Sequence, residues 1–481
     1  MVAASLWLQA GAGLTAPDQT ETTTSPLAAP LHDLFERAGC KAESAPLTRW
    51  QAAALLQRCL AQAEQITAPL ARLLRELDAE LTTLSNRVEQ LEQHHRGLDA
   101  SRFSPTTRLL GVSTFIVGGN GFSGTDEQLL KSIRSTYGAV EFGYDQKLIL
   151  RTSFTGRDRL NIRLRAGNLD TSSDVFGGGG PSKLSELEVA FQQGRTANQL
   201  GVNRLWYQFP IGEDWTVTLG SRVNQSVMLA MWPSVYPEDT VLDLFTQAGA
   251  SGAYSSNLGP GGGVMWERGP FSFSLNYIAA KGADSGAALG LFGVDAGSSS
   301  TLQLGYAAES WGVAAALVSI ENGSGIIDYA SPFTLSSFNQ PGTTLSTAIS
   351  GYWQPSDNGL IPSVSLGWGW NSTRYSDGVD SAGLVSVSQS WTVALQWSDL
   401  FDSGTSMGAA IGQPVFATAL VGGGSPNDAG YVMEWWTMFP VTDSITVTPA
   451  VFYLSRPLGA ETPDGQQLDQ LGALVKTTFR F

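Results

Sequence analysis

From residue 109 onward, apolar and polar positions alternate by twos. In "DWTVTLGSRV", Trp215, Val217 and Leu219 share one face, while Thr216, Thr218 and Gly220 share the other. In "PSVSLGWGW", Val364, Leu366, Trp368 and Trp370 oppose Ser363, Ser365, Gly367 and Gly369. The closing "LVKTTFRF" sets Val475, Thr477, Phe479 and Phe481 against Lys476, Thr478 and Arg480. Period-two alternation predicts strands with one apolar face. Seventeen segments carry it, among them "KLILRTSF", "RLNIRLRAG", "SELEVAFQQ" and "RLWYQFP". Short joins, such as residues 268–270 and 307–310, contrast with long stretches rich in Gly, Ser and Asp at 168–184, 223–261, 321–343 and 371–388.

Before residue 105 the pattern is helical. "LHDLFERAG" ends at Gly39 as a C-cap, and "TRWQAAALLQRCLAQAEQ" opens at Thr48 as an N-cap. Then Leu70, Leu74, Leu77, Leu81, Leu84, Val88, Leu91 and Leu98 follow alternating steps of four and three, with His95 filling one of the seam positions. These are heptad positions with charged flanks, and no preceding segment is large enough to cover them, so a coiled coil is expected. "RVEQLE" places Arg87 before Val88 and Glu92 after Leu91, an arrangement associated with three-stranded coiled coils, where the arginine reaches a glutamate on a neighbouring helix. The expected trimer seam is Leu74, Leu77, Leu81, Leu84, Arg87, Val88, Leu91 and Glu92.

Composition decides what the apolar strand faces meet. Charged residues make up 15% of the 481, against roughly 25% in soluble domains, and the 54 glycines are about 11%. No apolar run is long enough for a membrane helix. Strands whose small neutral residues alternate with apolar ones ending in tryptophan fit a transmembrane barrel, with lipid outside and a watery lumen inside. Roughly 370 residues at about 23 per strand and connection give about 16 antiparallel strands, and an even number is expected of bacterial barrels. One of the seventeen segments is therefore in excess, or one strand is missed. The net charge of −15 argues against nucleic acid.

Candidate chemistry is sparse. His32, His94 and His95 all precede the barrel, so no Ser-His or Cys-His device forms within it, and catalysis is not expected. Cofactors and metal sites are not expected either. Cys40 and Cys59 lack metal-ligand spacing. They either pair in an oxidising compartment, closing a loop of about 20 residues worth roughly 3 kcal/mol, or remain two buried thiols. "MVAASLWLQAGAGLTA" reads as the back of a secretory signal, with Ala10-Gly11-Ala12 as its cleavage site and no basic start.

One stretch stands apart: "LRTSFTGRDRLNIRLRAGN". Arg163 and Arg165 alternate with Ile162 and Leu164. Lipid would reject arginine near the midplane by about 2–4 kcal/mol, so both should face the lumen, joined by Arg151 from the preceding strand. "SELEVAF" sets Glu186 and Glu188 opposite Leu187 and Val189. Read as the next strand, it lays an acidic ladder beside the basic one, either as a solute-sorting transverse field or as a salt-bridged wall. Lys476 and Arg480 are the pore-lining candidates of the last strand.

"SFTGRDRLNIRLRAGN", "IPSVSLGWGW", "MFPVTDSITVTPAVFYLSRP" and "KTTFRF" together resemble the cyanobacterial outer-membrane porins, called iron uptake or SLH-domain porins and grouped with the OprB-type carbohydrate-selective porins. The resemblance implies a homotrimer in outer-membrane lipid passing small solutes and ions, with a periplasmic SLH domain gripping peptidoglycan-linked polysaccharide. "AGC...PLTRWQAAALLQRCL" is similar to the second half of that domain, and Thr48 and Arg49 stand at its TR pair. The first half is missing. Phe481 matches the C-terminal aromatic signature read by barrel-assembly machinery. The expected organisation is a residual signal and linker (1–30), a truncated SLH-like segment (31–65), a coiled coil (66–100) and the barrel (101–481). The competing expectation is a structural tether between membrane and wall whose barrel conducts poorly; a third, a secreted soluble β-protein, requires the apolar faces to be buried in a dry core.

Overall fold

The computed structural model describes residues 106–481 except 170–172, 193–195, 239, 323–324, 356–359 and 401–403, and before them only residues 52, 53, 55, 56 and 77. The chain divides into two compact units, Met1–Arg102 and Phe103–Phe481. In the first, Ala52, Ala53, Leu55 and Leu56 are helical, as "TRWQAAALLQ" predicts. Leu77 lies in a turn and is fully buried. The other seam positions, Leu74, Leu81, Leu84, Arg87, Val88, Leu91 and Glu92, lie outside the described residues, as do Thr48, Arg49, Cys40 and Cys59.

The second unit is a closed antiparallel barrel of sixteen strands. In order these are β1 (Thr107–Gly124), β2 (Val140–Thr152), β3 (Arg159–Gly167), β4 (Gly201–Ile211), β5 (Trp215–Asn224), β6 (Leu258–Arg268), β7 (Phe271–Ala279) and β8 (Ser298–Ala307). Then follow β9 (Trp311–Glu321), β10 (Gly342–Trp353), β11 (Ser363–Tyr375), β12 (Val385–Leu400), β13 (Thr405–Leu420), β14 (Val432–Thr442), β15 (Ile445–Ser455) and β16 (Leu468–Arg480). Every strand pairs with its sequence neighbours, and β16 returns to β1 with Val112 opposite Arg480. Phe481 extends this seam: its amide donates to the Gly111 carbonyl at 3.0 Å and its carbonyl accepts from the Gly111 amide at 2.7 Å.

Alternation has the physical meaning expected of a membrane barrel. Leu275, Leu302, Leu317, Leu345, Ile349, Leu366, Trp368, Trp435 and Val475 are exposed on the outer face, while their strand neighbours Ser274, Thr301, Val318, Thr344, Ser350, Ser365 and Thr478 are buried inside. The eleven residues of β9, at about 3.3 Å each and tilted by about 40–45°, rise about 26 Å, which matches an apolar band of about 25 Å. The β8–β9 turn end carries a ring of aromatics: Phe271 lies 5.2 Å from Tyr306, and Tyr306 lies 5.1 Å from Trp311. Such belts sit at the membrane–water boundary.

All connections from odd to even strands leave one end, and they include every long one; the short turns lie at the other. The β1–β2 connection carries helix α1 (Glu127–Tyr137), capped by Asp126, whose carboxylate accepts from the Gln128 and Leu129 amides. The fourth expected long stretch, 371–388, is shorter, because β11 runs on to Tyr375 and β12 begins at Val385.

Three of the long connections do not project outward. Within 168–192, 225–257 and 322–341, the last carrying the short helix α2 (Pro332–Phe338), the described residues fold into the barrel. There Leu169, Phe176, Leu187, Leu242, Phe245 and Tyr329 pack with the inward residues Ile116, Ala394, Trp436, Phe452 and Leu474. A second cluster joins Ala248, Ala250, Tyr254, Ile326 and Ile327 to Ala316, Val318, Ile320 and Ala348. Much of the inside is thus a dry core rather than a uniformly watery one. Its wall is built to receive the loops: a Cβ on the inward Gly367 would overlap the carbonyl oxygen of Ala248, and one on Gly369 would press on Ala250.

This explains the surplus strand. "SELEVAFQQ" is not in the barrel wall. Leu187 forms an isolated bridge with Leu242 of the second loop, and the stretch belongs to the inward 168–200 connection. Removing it from the seventeen leaves the sixteen strands observed. The apolar side of the segment is real, but loops and inner wall cover it, not lipid.

Candidate functional site

The β2–β3 turn sets the position of the basic strand. Asp158 Oδ1 accepts from the Phe154 amide (2.9 Å), the Thr155 amide (2.8 Å) and the Ser153 hydroxyl (2.8 Å), while Oδ2 accepts from Tyr207 Oη (2.7 Å). Desolvation pushes this carboxyl up, but the hydrogen bonds outweigh it and hold it well below the usual carboxylate range. With the turn fixed, Arg159, Asn161, Arg163 and Arg165 share the inner face of β3.

Arg165 is the neutralised member. It grips Asp145 of β2 through Nε–Oδ1 (2.6 Å) and Nη2–Oδ2 (3.1 Å), and its guanidinium stacks 4.6 Å over the Phe191 ring. Lys147 stands between Asp145 (3.3 Å) and Glu188 (3.2 Å). Arg163 donates to Asn203 Oδ1 at 2.6 Å, and Arg159 donates to Gln208 Oε1 at 2.8 Å while lying 5.2 Å over Trp206. A register shift between β3 and β4 leaves Arg163 directly opposite Arg204. Arg159, Arg163, Arg165, Arg204, Trp206 and Gln208, with Arg151 and Asn161, line one side of a cavity of about 670 Å³. The other side is built mainly by the inward loops, through Glu188, Gln225, Glu238, Asp243, Thr246 and Gln247.

The loop carboxylates are strongly shaped by burial. Burial pushes Asp243 up to about 6, against the opposing effect of hydrogen bonds from Tyr329 Oη and Thr246 Oγ1. Burial likewise raises Glu186, to about 8, although Lys183 Nζ lies 3.6 Å away. Burial alone would lower Lys183, but Asp328 at 2.7 Å and Glu186 hold it above its ordinary value.

The structure therefore brings Arg151, Arg163, Arg165 and Glu188 to one cavity. It separates the other pore-lining candidates from it. Glu186 turns to Lys183 among the packed loops. Lys476 points inward but is covered, its Nζ donating to the Thr240 carbonyl at 2.8 Å. Arg480 is exposed at the end of β16. Glu186 and Glu188 also do not form a ladder on a neighbouring strand; the acid facing the arginines comes from loops. Sequence reading missed Arg159, Arg204, Trp206, Glu238 and Asp243. Arg159 has the same parity as Arg163 and Arg165, so the alternation alone identifies it. Arg204 is hidden by the register shift, which puts Val202 outside and Arg204 inside despite their even spacing.

Comparison with known proteins agrees with this architecture. The family model described as "Carbohydrate-selective porin, OprB family" matches residues 64–481. An uncharacterized protein of Nostoc sp. is 28% identical, over 94% of this chain and 82% of its own. One from Synechocystis sp. is 24% identical, over 94% and 88%. Among solved structures, Pseudomonas putida OprB at high pH superimposes with a TM-score of 0.51 at 13% identity, over 80% of this chain and 96% of its own. A closed sixteen-strand barrel with an apolar outer band and a charged lumen, matched by that family model over most of its length, means that the chain belongs to the OprB family of carbohydrate-selective porins, outer-membrane proteins.

Proposed function

We propose that the barrel passes small hydrophilic solutes and inorganic ions by passive diffusion along the β2–β5 side of the lumen. The observation that carries this reading is the polar cavity of about 670 Å³, with arginines on its wall and carboxylates on the loops across from it. Opposed charges across a narrow passage orient dipolar solutes and sort ions. The short-turn end, from which β1 starts, is read as periplasmic. Arginine is well suited to the wall because it stays charged throughout the physiological range.

The test is conductance in planar bilayers. Neutralising Arg163 and Arg165 together should change single-channel conductance and move the reversal potential in a salt gradient toward cations. Unchanged values would remove the sorting role. A second reading, a tether with a poorly conducting barrel, is favoured by the three loops that fill much of the interior. Liposome swelling with sugars of increasing size separates the two: a tether leaves swelling at the protein-free rate.

A further inference from the structure

Among the described residues, four guanidiniums that line the cavity have no carboxylate within ion-pair distance: Arg151, Arg159, Arg163 and Arg204. Three of the nearby acids are engaged elsewhere. Asp145 is held by Arg165 and Lys147, Glu188 by Lys147, and Asp243 by the Tyr329 and Thr246 hydroxyls. Glu238 and Glu267 line the same cavity without pairing to an arginine. The contacts of Arg163 and Arg159 are neutral: the Asn203 and Gln208 side-chain carbonyls and the Trp206 ring.

Arg204 is the telling member. Its Nη1 is buried and has no hydrogen-bond partner among the described residues. It also stands directly opposite Arg163 on the adjacent strand. Like charges facing each other across strands repel, and a buried donor without an acceptor is costly. Both costs vanish if an anion with several oxygen acceptors sits between them. A guanidinium presents its donors as a planar fork that matches such an anion two oxygens at a time.

We propose that a small tetrahedral oxyanion, free phosphate or the phosphate of a sugar monoester, binds in the lumen between Arg163 and Arg204, with Arg159 and Arg151 lining its approach. The inference rests on the lumen being a solute path and narrows that reading to a preferred class. It also implies that the pore attracts anions although the chain as a whole carries −15.

The experiment uses the full chain in planar bilayers with potassium chloride as carrier and inorganic phosphate as probe. Phosphate should reduce chloride current saturably. Glucose 6-phosphate should do the same, whereas glucose should not. Arg163→Gln and Arg204→Gln should each weaken the block by about tenfold or more, the loss expected for a charge-assisted contact. Arg151→Gln with Arg159→Gln, which leaves the paired arginines intact, should weaken it less. Calorimetric titration of the detergent-solubilised chain with phosphate reads the site independently of current. A barrel that passes no salt yet binds phosphate would sink the diffusion reading, and with it the preferred solute class, while leaving the oxyanion site between Arg163 and Arg204 standing. Chloride current indifferent to phosphate with no calorimetric binding, or a block unchanged in both single variants, would overturn the proposal.

Discussion

Replacing Gly367 by alanine should unseat the 225–257 loop from the inside of the barrel. Gly367 sits in β11 between outward Leu366 and Trp368, and its backbone is extended like that of its neighbours, so alanine is conformationally acceptable there. Space is the obstacle: the new methyl group would overlap the Ala248 carbonyl oxygen. That carbonyl accepts from Ser350 Oγ at 2.8 Å, and the next one, Gly249, accepts from Ser390 Oγ at 3.0 Å. The chain cannot easily slide to relieve the overlap, because Ala248 and Gly249 already form a left-handed corner, with φ of 46° and 77°. Loss of the two buried hydrogen bonds, with their groups left partly unsatisfied, costs about 3–5 kcal/mol of loop seating. The barrel ladder is untouched, so the variant should still insert and still run as a compact, heat-sensitive band. Its single-channel current should become larger and noisier, and residues 225–257 should become cleavable by added protease in detergent. Wild-type current, noise and protease resistance in Gly367→Ala would refute the account of the inward glycines as a seat for the loop.

Glu434→Ala should loosen the same loop from its other side, since the carboxylate accepts from Tyr236 Oη (2.7 Å), the Leu242 amide (2.7 Å) and the Thr240 hydroxyl; protease cleavage should rise, and the effect should fall short of additive with Gly367→Ala because both act on one segment. Lowering pH from 8 to 5 should shift the reversal potential toward anions, because protonating Asp243, raised by burial to about 6, removes a negative charge opposite the arginines; Asp243→Asn should flatten the step near pH 6. The same raised carboxyl makes loop seating stronger at low pH and weaker as pH climbs from the unfolded value near about 4 through 6, which hydrogen exchange in residues 240–250 can follow. Leu317→Arg, on the outer face of β9, should destabilise the folded barrel by about 2–4 kcal/mol in a lipid refolding titration, and the effect should fade for substitutions nearer the rims.

The strands were legible because lipid and lumen impose opposite demands on successive residues, and that period survives in "PSVSLGWGW" and "DWTVTLGSRV" without any knowledge of neighbours. What alternation conceals is the material behind each face. Leu187 and Val189 alternate with Glu186 and Glu188 as cleanly as any wall strand, yet they are buried by Phe176, Leu242 and Phe452. Gly367 and Gly369 read as small neutral residues facing water, whereas they face a backbone from far away in the chain. The basic half of the site was visible because arginine has no place in hydrocarbon. The acidic half was mostly hidden, because Glu238 and Asp243 sit in a loop whose inward path depends on tertiary contacts such as the Glu434 clasp. Lys476 shows the same limit: its inward direction followed from parity, but the loop covering it did not.

The β1–β16 seam has a consequence for how this molecule is made. Thr114 and Thr478 touch hydroxyl to hydroxyl at 3.2 Å across 364 positions of sequence. Until the sixteenth strand arrives, two raw margins of unpaired amides and carbonyls stand open, each able to recruit a stray strand or another copy. Hydrocarbon tolerates no such margin. Completion of the ring is therefore a condition for residence in the membrane, so this polypeptide must be sheltered along its whole length before it can be released into the bilayer in a single event.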